Sequence, residues 1–265
     1  AKALYLALLW KELGRPLLII SPGAQPAEEL AEALQTFQRI LEPSSDPVQL
    51  LPGFDVLPGQ GLSPHAEVAG ERAVALWRLA EGKASITVVP VEAALCRLRS
   101  PEEYRRLALR VRAGASFPME NLLAHLEMTG YQRRDPVEQV GEYAVRGGIV
   151  DIFPPKAPYP LRVEFFGDFV DSIRQFDPGT QRSIQPVGEC LILPLVETPR
   201  DPALLAELAE EFSLAGEPGA FPGGWEFLVP LVRPCQYWIG DFYQGWLVLD
   251  EPEQAEKAAE RFWKR

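Results

Sequence analysis

Over roughly the first 112 residues, short apolar runs alternate with segments in which apolar positions recur at helical spacing. Leu17-Leu18-Ile19-Ile20 is a continuous apolar run bounded by polar residues and reads as a buried strand. Pro26 with Glu28 and Glu29 opens a helix whose Ala27, Leu30, Ala31, Leu34, Phe37 and Leu41 form one apolar stripe. A short strand ends at Leu50, and a Gly/Pro-rich loop runs from Leu51 to Pro64. The next helix carries Ala69, Ala73, Leu76, Trp77 and Ala80 on one face and stops at Gly82, before the strand Ile86-Thr87-Val88-Val89. Strands alternating with helices in this way predict a parallel sheet covered by helices.

Near Ala113 the period changes. A helix with Met119, Leu122, Leu123 and Leu126 ends at Gly130, and closely spaced strand-like runs continue to about Leu193, the pattern of an α+β insert built from hairpins. Gly167-Asp168, between Leu161–Phe166 and Phe169–Phe176, fits a two-residue turn with Gly at its first central position. Beyond Thr198 an acidic helix from Ala203 to Glu211 precedes a Gly/Pro loop and the strand Trp246–Leu249, a return to the α/β pattern. The expected organisation is a scaffold in two parts, 1–112 and 198–265, interrupted by an inserted domain at 113–197. No apolar run approaches the ~20 residues of a membrane helix, and Ala1 to Trp10 has no basic region and cleavage site of a secretory signal.

Charge narrows the functional classes. With 26 Lys+Arg against 37 Asp+Glu the net charge is −11, whereas autonomous nucleic-acid binders draw affinity from basic patches. The 3 cysteines, Cys96, Cys190 and Cys235, lack CxxC spacing; they suit a reducing cytoplasm and exclude a zinc ribbon. The 2 histidines are His65, at a helix entry, and His125, mid-helix beside an apolar stripe; there is no GxSxG string, so nucleophilic and metal-centred catalysis have little to stand on. Asp250-Glu251 at the end of the strand Trp246–Leu249 is either a capped strand end or an acid that could hold Mg²⁺. ATP chemistry also needs a GxxxxGK[ST] loop, and none occurs. Were such a loop to end at Lys2, the following Ala3 would lack the metal-ligating hydroxyl.

The hairpin is the most unusual feature. Its period of two turns Leu161, Val163 and Phe165 to one face and Arg162, Glu164 and Phe166 to the other, free to solvent. Across the turn Phe166 neighbours Phe169, and Glu164 falls opposite Asp171, an acid pair that invites Arg162 or Arg146. An exposed Phe flanked by Arg is the composition of a protein-binding hot spot, unless the face packs on the insert's own helix.

Three ordered strings carry a family resemblance: Gly141-Glu142-Tyr143-Ala144-Val145-Arg146-Gly147-Gly148-Ile149-Val150-Asp151-Ile152-Phe153-Pro154, then Leu161 to Asp168, then Phe176-Asp177-Pro178-Gly179-Thr180-Gln181-Arg182-Ser183. With Gly14 to Ile19, Leu57-Pro58, Ser63-Pro64-His65 and Trp225 to Leu231, nearly the whole chain resembles the N-terminal, UvrB-like module of the bacterial transcription-repair coupling factors. The resemblance implies a degenerate P-loop NTPase-like scaffold, similar to domain 1 of UvrB, with an inserted small α+β domain that binds UvrA. It implies UvrA contacts at Arg146, Arg162 and Phe166, and a retired nucleotide site at Lys2, Ala3, Asp250 and Glu251. UvrB itself carries a tyrosine-rich hairpin and an intact phosphate loop; Gly53 to His65 here contains no Tyr, and Lys2-Ala3 replaces the Lys-Ser/Thr pair. The function implied by the resemblance is that of a noncatalytic adaptor for nucleotide excision repair with no cofactor. RNA polymerase and DNA would then be engaged through regions outside these 265 residues. The competing expectation is a UvrB-type ATP-dependent repair helicase fragment; a small-molecule enzyme on an α/β sheet is a weaker third.

Overall fold

The computed structural model of the chain describes residues 1–212 and 221–264. Its first elements are α1 (Lys2–Leu13), β1 (Leu17–Ser21), α2 (Ala24–Leu41), β2 (Gln49–Leu50), α3 (Ala66–Ala80), β3 (Ile86–Pro90), α4 (Val91–Ala94) and α5 (Pro101–Arg105). Then come β4 (Leu109–Arg112), α6 (Met119–Met128), β5 (Gln132–Arg133), β6 (Glu142–Arg146), β7 (Ile149–Ile152), β8 (Leu161–Phe166), β9 (Phe169–Phe176), β10 (Ser183–Pro186) and β11 (Glu189–Ile192). The last are α7 (Pro202–Phe212), α8 (Val229–Val232), β12 (Trp246–Leu249) and α9 (Pro252–Trp263). Two units divide the chain: Ala1–Arg105 with Gly223–Arg265, and Arg106–Pro222. The Gly/Pro loop expected after the acidic helix falls, over 213–220, outside the described residues.

The first unit contains a parallel sheet in the order β12-β1-β3-β2. Every residue of β1 and β3 is buried, as strands covered on both faces must be, which is why they read as unbroken apolar runs. Leu17 and Ile19 of β1 with Ile86 and Val88 of β3 meet Ala3, Leu6 and Ala7 of α1 and Ala27, Leu30 and Leu34 of α2. Thr87, on the opposite face, meets the amide of Gln49, which also donates to the Ala75 carbonyl of α3 (3.3 Å). Helix α2 starts at Ala24, two residues before the expected Pro26, so the proline sits in a first turn that has no use for its missing N–H. His65 caps α3, its Nδ1 accepting from the Glu67 N–H, which is the helix-entry role its position suggested.

The second unit is built on a sheet in the order β10-β9-β8-β7-β6-β5, antiparallel except for β5 beside β6, and a separate antiparallel pair, β11-β4. Strand β4 lies just ahead of position 113 and pairs with β11 within this unit. One sheet face carries Tyr143, Val150, Ile152, Leu161, Val163, Val170 and Ile173 against Leu122 and Leu126 of α6. Burying each of these leucines completely contributes about 1.5–3 kcal/mol. Gly147 (φ 59°) and Gly148 form the tight turn between β6 and β7. A Cβ on Gly148 would meet the Phe165 carbonyl oxygen at 2.8 Å, so only glycine lets the turn sit against β8.

Cys190 is buried in this core, and desolvation pushes its thiol up to about 12. At pH 8 its reactive thiolate is therefore scarce, and alkylation followed by peptide mapping is expected to mark Cys190 only after denaturant has unfolded the unit. Labelling of the native chain at the rate of a free thiol contradicts this. No described helix is long and apolar enough to cross a membrane.

Candidate functional site

Strand pairing arranges the sheet face opposite α6 in three rows. Across β6, β7, β8 and β9 the first row is Ala144, Asp151, Arg162 and Arg174, and the second is Arg146, Ile149, Glu164 and Ser172. The third, at the hairpin tip, is Phe166 opposite Phe169. Antiparallel pairing with turns at Gly147-Gly148 and Gly167-Asp168 produces these rows; shifting a turn by one residue would send every side chain to the other face.

The hairpin departs from simple pairing at one point. Glu164 stands opposite Ser172, not Asp171 as expected, because the register shifts between Glu164 and Phe165 and leaves Asp171 as the extra residue of a bulge on β9. The acid pair therefore does not form: the Ser172 hydroxyl donates to Glu164 Oε2 (2.8 Å), and Arg174 Nη2 lies 3.4 Å from the same oxygen. The alternation of β8 survives, since the extra residue is on its partner. Phe165 packs on the core shared with α6 but stays partly exposed, whereas Phe166 is 82% exposed and Phe169 56%.

Arg146 and Arg162 converge on a carboxylate that periodicity alone did not single out. Asp151 is 1% exposed, its Oδ1 accepting from Arg162 Nε (2.7 Å) and its Oδ2 from Arg162 Nη2 (2.8 Å) and Arg146 Nη2 (2.6 Å). Three charge-assisted bonds satisfy an anion that would otherwise be very costly to bury. The Arg162 guanidinium lies 4.7 Å from the centre of the Phe176 ring and points Nη1 at the Gln181 carbonyl (3.4 Å). Its bond to Asp151 holds it further above the ordinary Arg pKa, so it stays charged. Arg162 is thus not free to solvent as expected: its side chain is 17% exposed, against 46% for Arg146. The cause is Asp151, the cross-strand neighbour of Arg162. A signal for it was present, an acid inside the apolar run Ile149-Val150-Asp151-Ile152-Phe153 and two residues from the turn partner of Arg146.

The Thr-Gln-Arg-Ser string closes this site from one side. Gln181 has a positive φ of 60° and donates through Nε2 to the Pro178 (2.7 Å) and Val137 (3.1 Å) carbonyls. Asp177 accepts from the Thr180 N–H (2.7 Å) and hydroxyl (2.9 Å), bonds that hold its carboxyl below the usual range.

In the first unit the structure brings together three of the other four singled-out residues. Lys2 Nζ, at the start of α1, lies 2.7 Å from Asp250 Oδ1 and 3.4 Å from Glu251 Oε1, at the C-terminal end of β12. The bond to Asp250, foremost, raises the Lys2 pKa. Ala3 is buried in the core and presents no hydroxyl there. Among the described residues no group of three or more His, Cys, Asp and Glu side chains could hold a metal ion.

Residues 109–197 match the UvrB interaction domain family. The transcription-repair-coupling factor of Myxococcus xanthus is 32% identical over 296 aligned positions, which take in 100% of this chain and 24% of that protein. The corresponding factor of Haemophilus influenzae is 34% identical over 69% of this chain, and that of Escherichia coli is 28% identical over 93% of it. The chain spans 16–24% of the length of these three relatives.

Proposed function

The chain is a homologue of the transcription-repair-coupling factors and carries a UvrB interaction domain, and on that premise we propose that it is a noncatalytic adaptor that recruits UvrA to lesions where polymerase has stalled. In this reading the second unit, with the inserted domain at 113–197, presents the contact surface. The first is a P-loop NTPase-like scaffold whose nucleotide site has decayed. RNA polymerase and DNA belong to the whole protein's other regions.

The observation that carries the reading is the pair Phe166 and Phe169, both more than half exposed at the tip of the β8–β9 hairpin and backed by a row of paired charges. A folded chain leaves two adjacent phenylalanines in water at a cost, and an apolar centre with an arginine rim is how protein interfaces concentrate affinity. The acidic chain argues against duplex DNA as the occupant.

The direct test mixes the chain with UvrA on a sizing column and titrates it by calorimetry. A saturable complex is expected; co-elution failing at tens of micromolar of each protein would sink the proposal. The decayed site has its own test. Lys2 is already neutralised by Asp250 and Glu251, and Ala3 offers no ligand for Mg²⁺, so ATP turnover is expected at background level. Turnover that Asp250→Asn abolishes would favour the helicase-fragment reading.

A further inference from the structure

We infer that β12 is an inner strand in the working protein, its open edge taken by a parallel strand from the segment that follows α9 in the longer coupling factor. The inference concerns the first unit alone and goes beyond the adaptor reading.

The two edges of the parallel sheet are built differently. β2 is 2 residues long, and the buried amide of its Gln49 is spent on Thr87 and the Ala75 carbonyl, so this edge offers little to pair with. β12 is an apolar run, Trp-Leu-Val-Leu, with no charge or proline to blunt it. Its Trp246 is 51% exposed, Leu247 48% and Leu249 51%, whereas every residue of β1 and β3 is buried. Pairing with β1 sets Trp246 beside Leu17, on the face covered by α1 and α2, and turns Leu247 and Leu249 to the other face. Both faces of β12 are thus partly open, together with its edge, although the strand has the composition of one covered on both sides.

The backbone is equally unfinished. The N–H groups of Trp246 and Asp250 donate to the carbonyls of Pro16 (3.0 Å) and Ile20 (2.8 Å), on the β1 side. Backbone groups alternate sides along a strand, so those of Leu247 and Leu249 point away from β1, where no described strand pairs with them.

The direction of the chain selects the occupant. α9 packs against α4, and none of its described residues joins the core beneath α1 and α2. It therefore leaves β12 on the face over which α3 returns the chain from β2 to β3. A right-handed crossover on that face runs from the β2 side toward β12 and beyond it. With 12 residues, α9 is about 18 Å long, enough to carry the chain back past the 4 residues of β12 to where a parallel strand begins. The next strand then falls on the open edge of β12. Chain length is no obstacle, since these 265 residues span only 16–24% of the relatives they match.

The test is amide hydrogen exchange, read residue by residue, on the 265-residue chain kept monomeric by dilution and on the full-length protein of the same gene. Leu247 and Leu249 are expected to exchange at nearly free-peptide rates in the chain and about 100-fold or more slowly in the full-length protein. Trp246 and Asp250, already bonded on the β1 side, are expected to change only a few-fold. A photoreactive phenylalanine analogue at position 247 then identifies the neighbour, and in the full-length monomer the cross-linked peptides are expected to include one C-terminal to α9. Equal exchange of Leu247 and Leu249 in the two proteins overturns the inference. So do cross-links confined to a second copy or to peptides ahead of β12, and a reading frame that closes at Arg265. UvrA takes no part in either measurement, so failure here leaves the adaptor reading standing, and failure of UvrA to bind leaves this inference standing.

Discussion

Arg162→Ala is expected to lower the stability of the second unit by about 3–5 kcal/mol, the usual result of removing one partner from a buried ion pair. Asp151 would keep only the 2.6 Å bond from Arg146 while remaining shielded from water, and the buried ring of Phe176 would lose the guanidinium that lies over it. Arg162→Lys is expected to recover part of this at most, because an ammonium cannot form two parallel bonds to one carboxylate or lie flat on a ring. Removing both charges is a different case. Asp151→Leu combined with Arg162→Met leaves no unpaired ion and is expected to be much closer to wild type than Arg162→Ala alone, as apolar replacements of buried pairs often are. Urea melts of the four proteins decide the matter. An Arg162→Ala chain that unfolds with wild-type midpoint and slope would mean that Asp151 is not a buried anion dependent on its arginine.

The second large effect separates adjacent residues. Phe166→Ala is expected to weaken UvrA binding by about 2–4 kcal/mol, roughly 30- to 1,000-fold, and to leave the melting temperature unchanged. The ring is 82% exposed in the free chain, so folding gains little from it and a partner that covers it gains most of its area. Phe165→Ala is expected to do the reverse. Its ring packs against the core beneath α6 but is only partly buried. The cost should therefore fall below the ~3–5 kcal/mol of a fully buried Phe, yet well above the ~0.5 kcal/mol of an ordinary surface change. The measurement pairs a melt with a titration for each variant. Unfolding caused by Phe166→Ala, or wild-type affinity in that variant, would remove the hairpin tip from the proposed surface.

The contrast between these neighbours was legible without a structure, because a strand alternates faces and a two-residue turn at Gly167-Asp168 sets which residues are opposed. The same local rules placed the buried parallel strands, whose apolar runs need no partner to be recognised, and the stripe of α2. Asp250 following β12 could likewise be read from the chain, but its 2.7 Å approach to Lys2 joins residues 248 positions apart and depends on sheet order. The roles of the arginines were hidden for a related reason. Periodicity assigns a side chain to a face and is silent about which neighbour on that face claims it. Sequence alone therefore turned Arg162 outward, and only the pairing of β7 with β8 revealed Asp151 beside it. The bulge at Asp171 belongs to the same class: one extra residue costs little locally, and its position is settled by how β9 fits its partner and the core beneath. Local pattern determined which residues this surface contains; long-range pairing decided which of them hold one another and which are left for a partner.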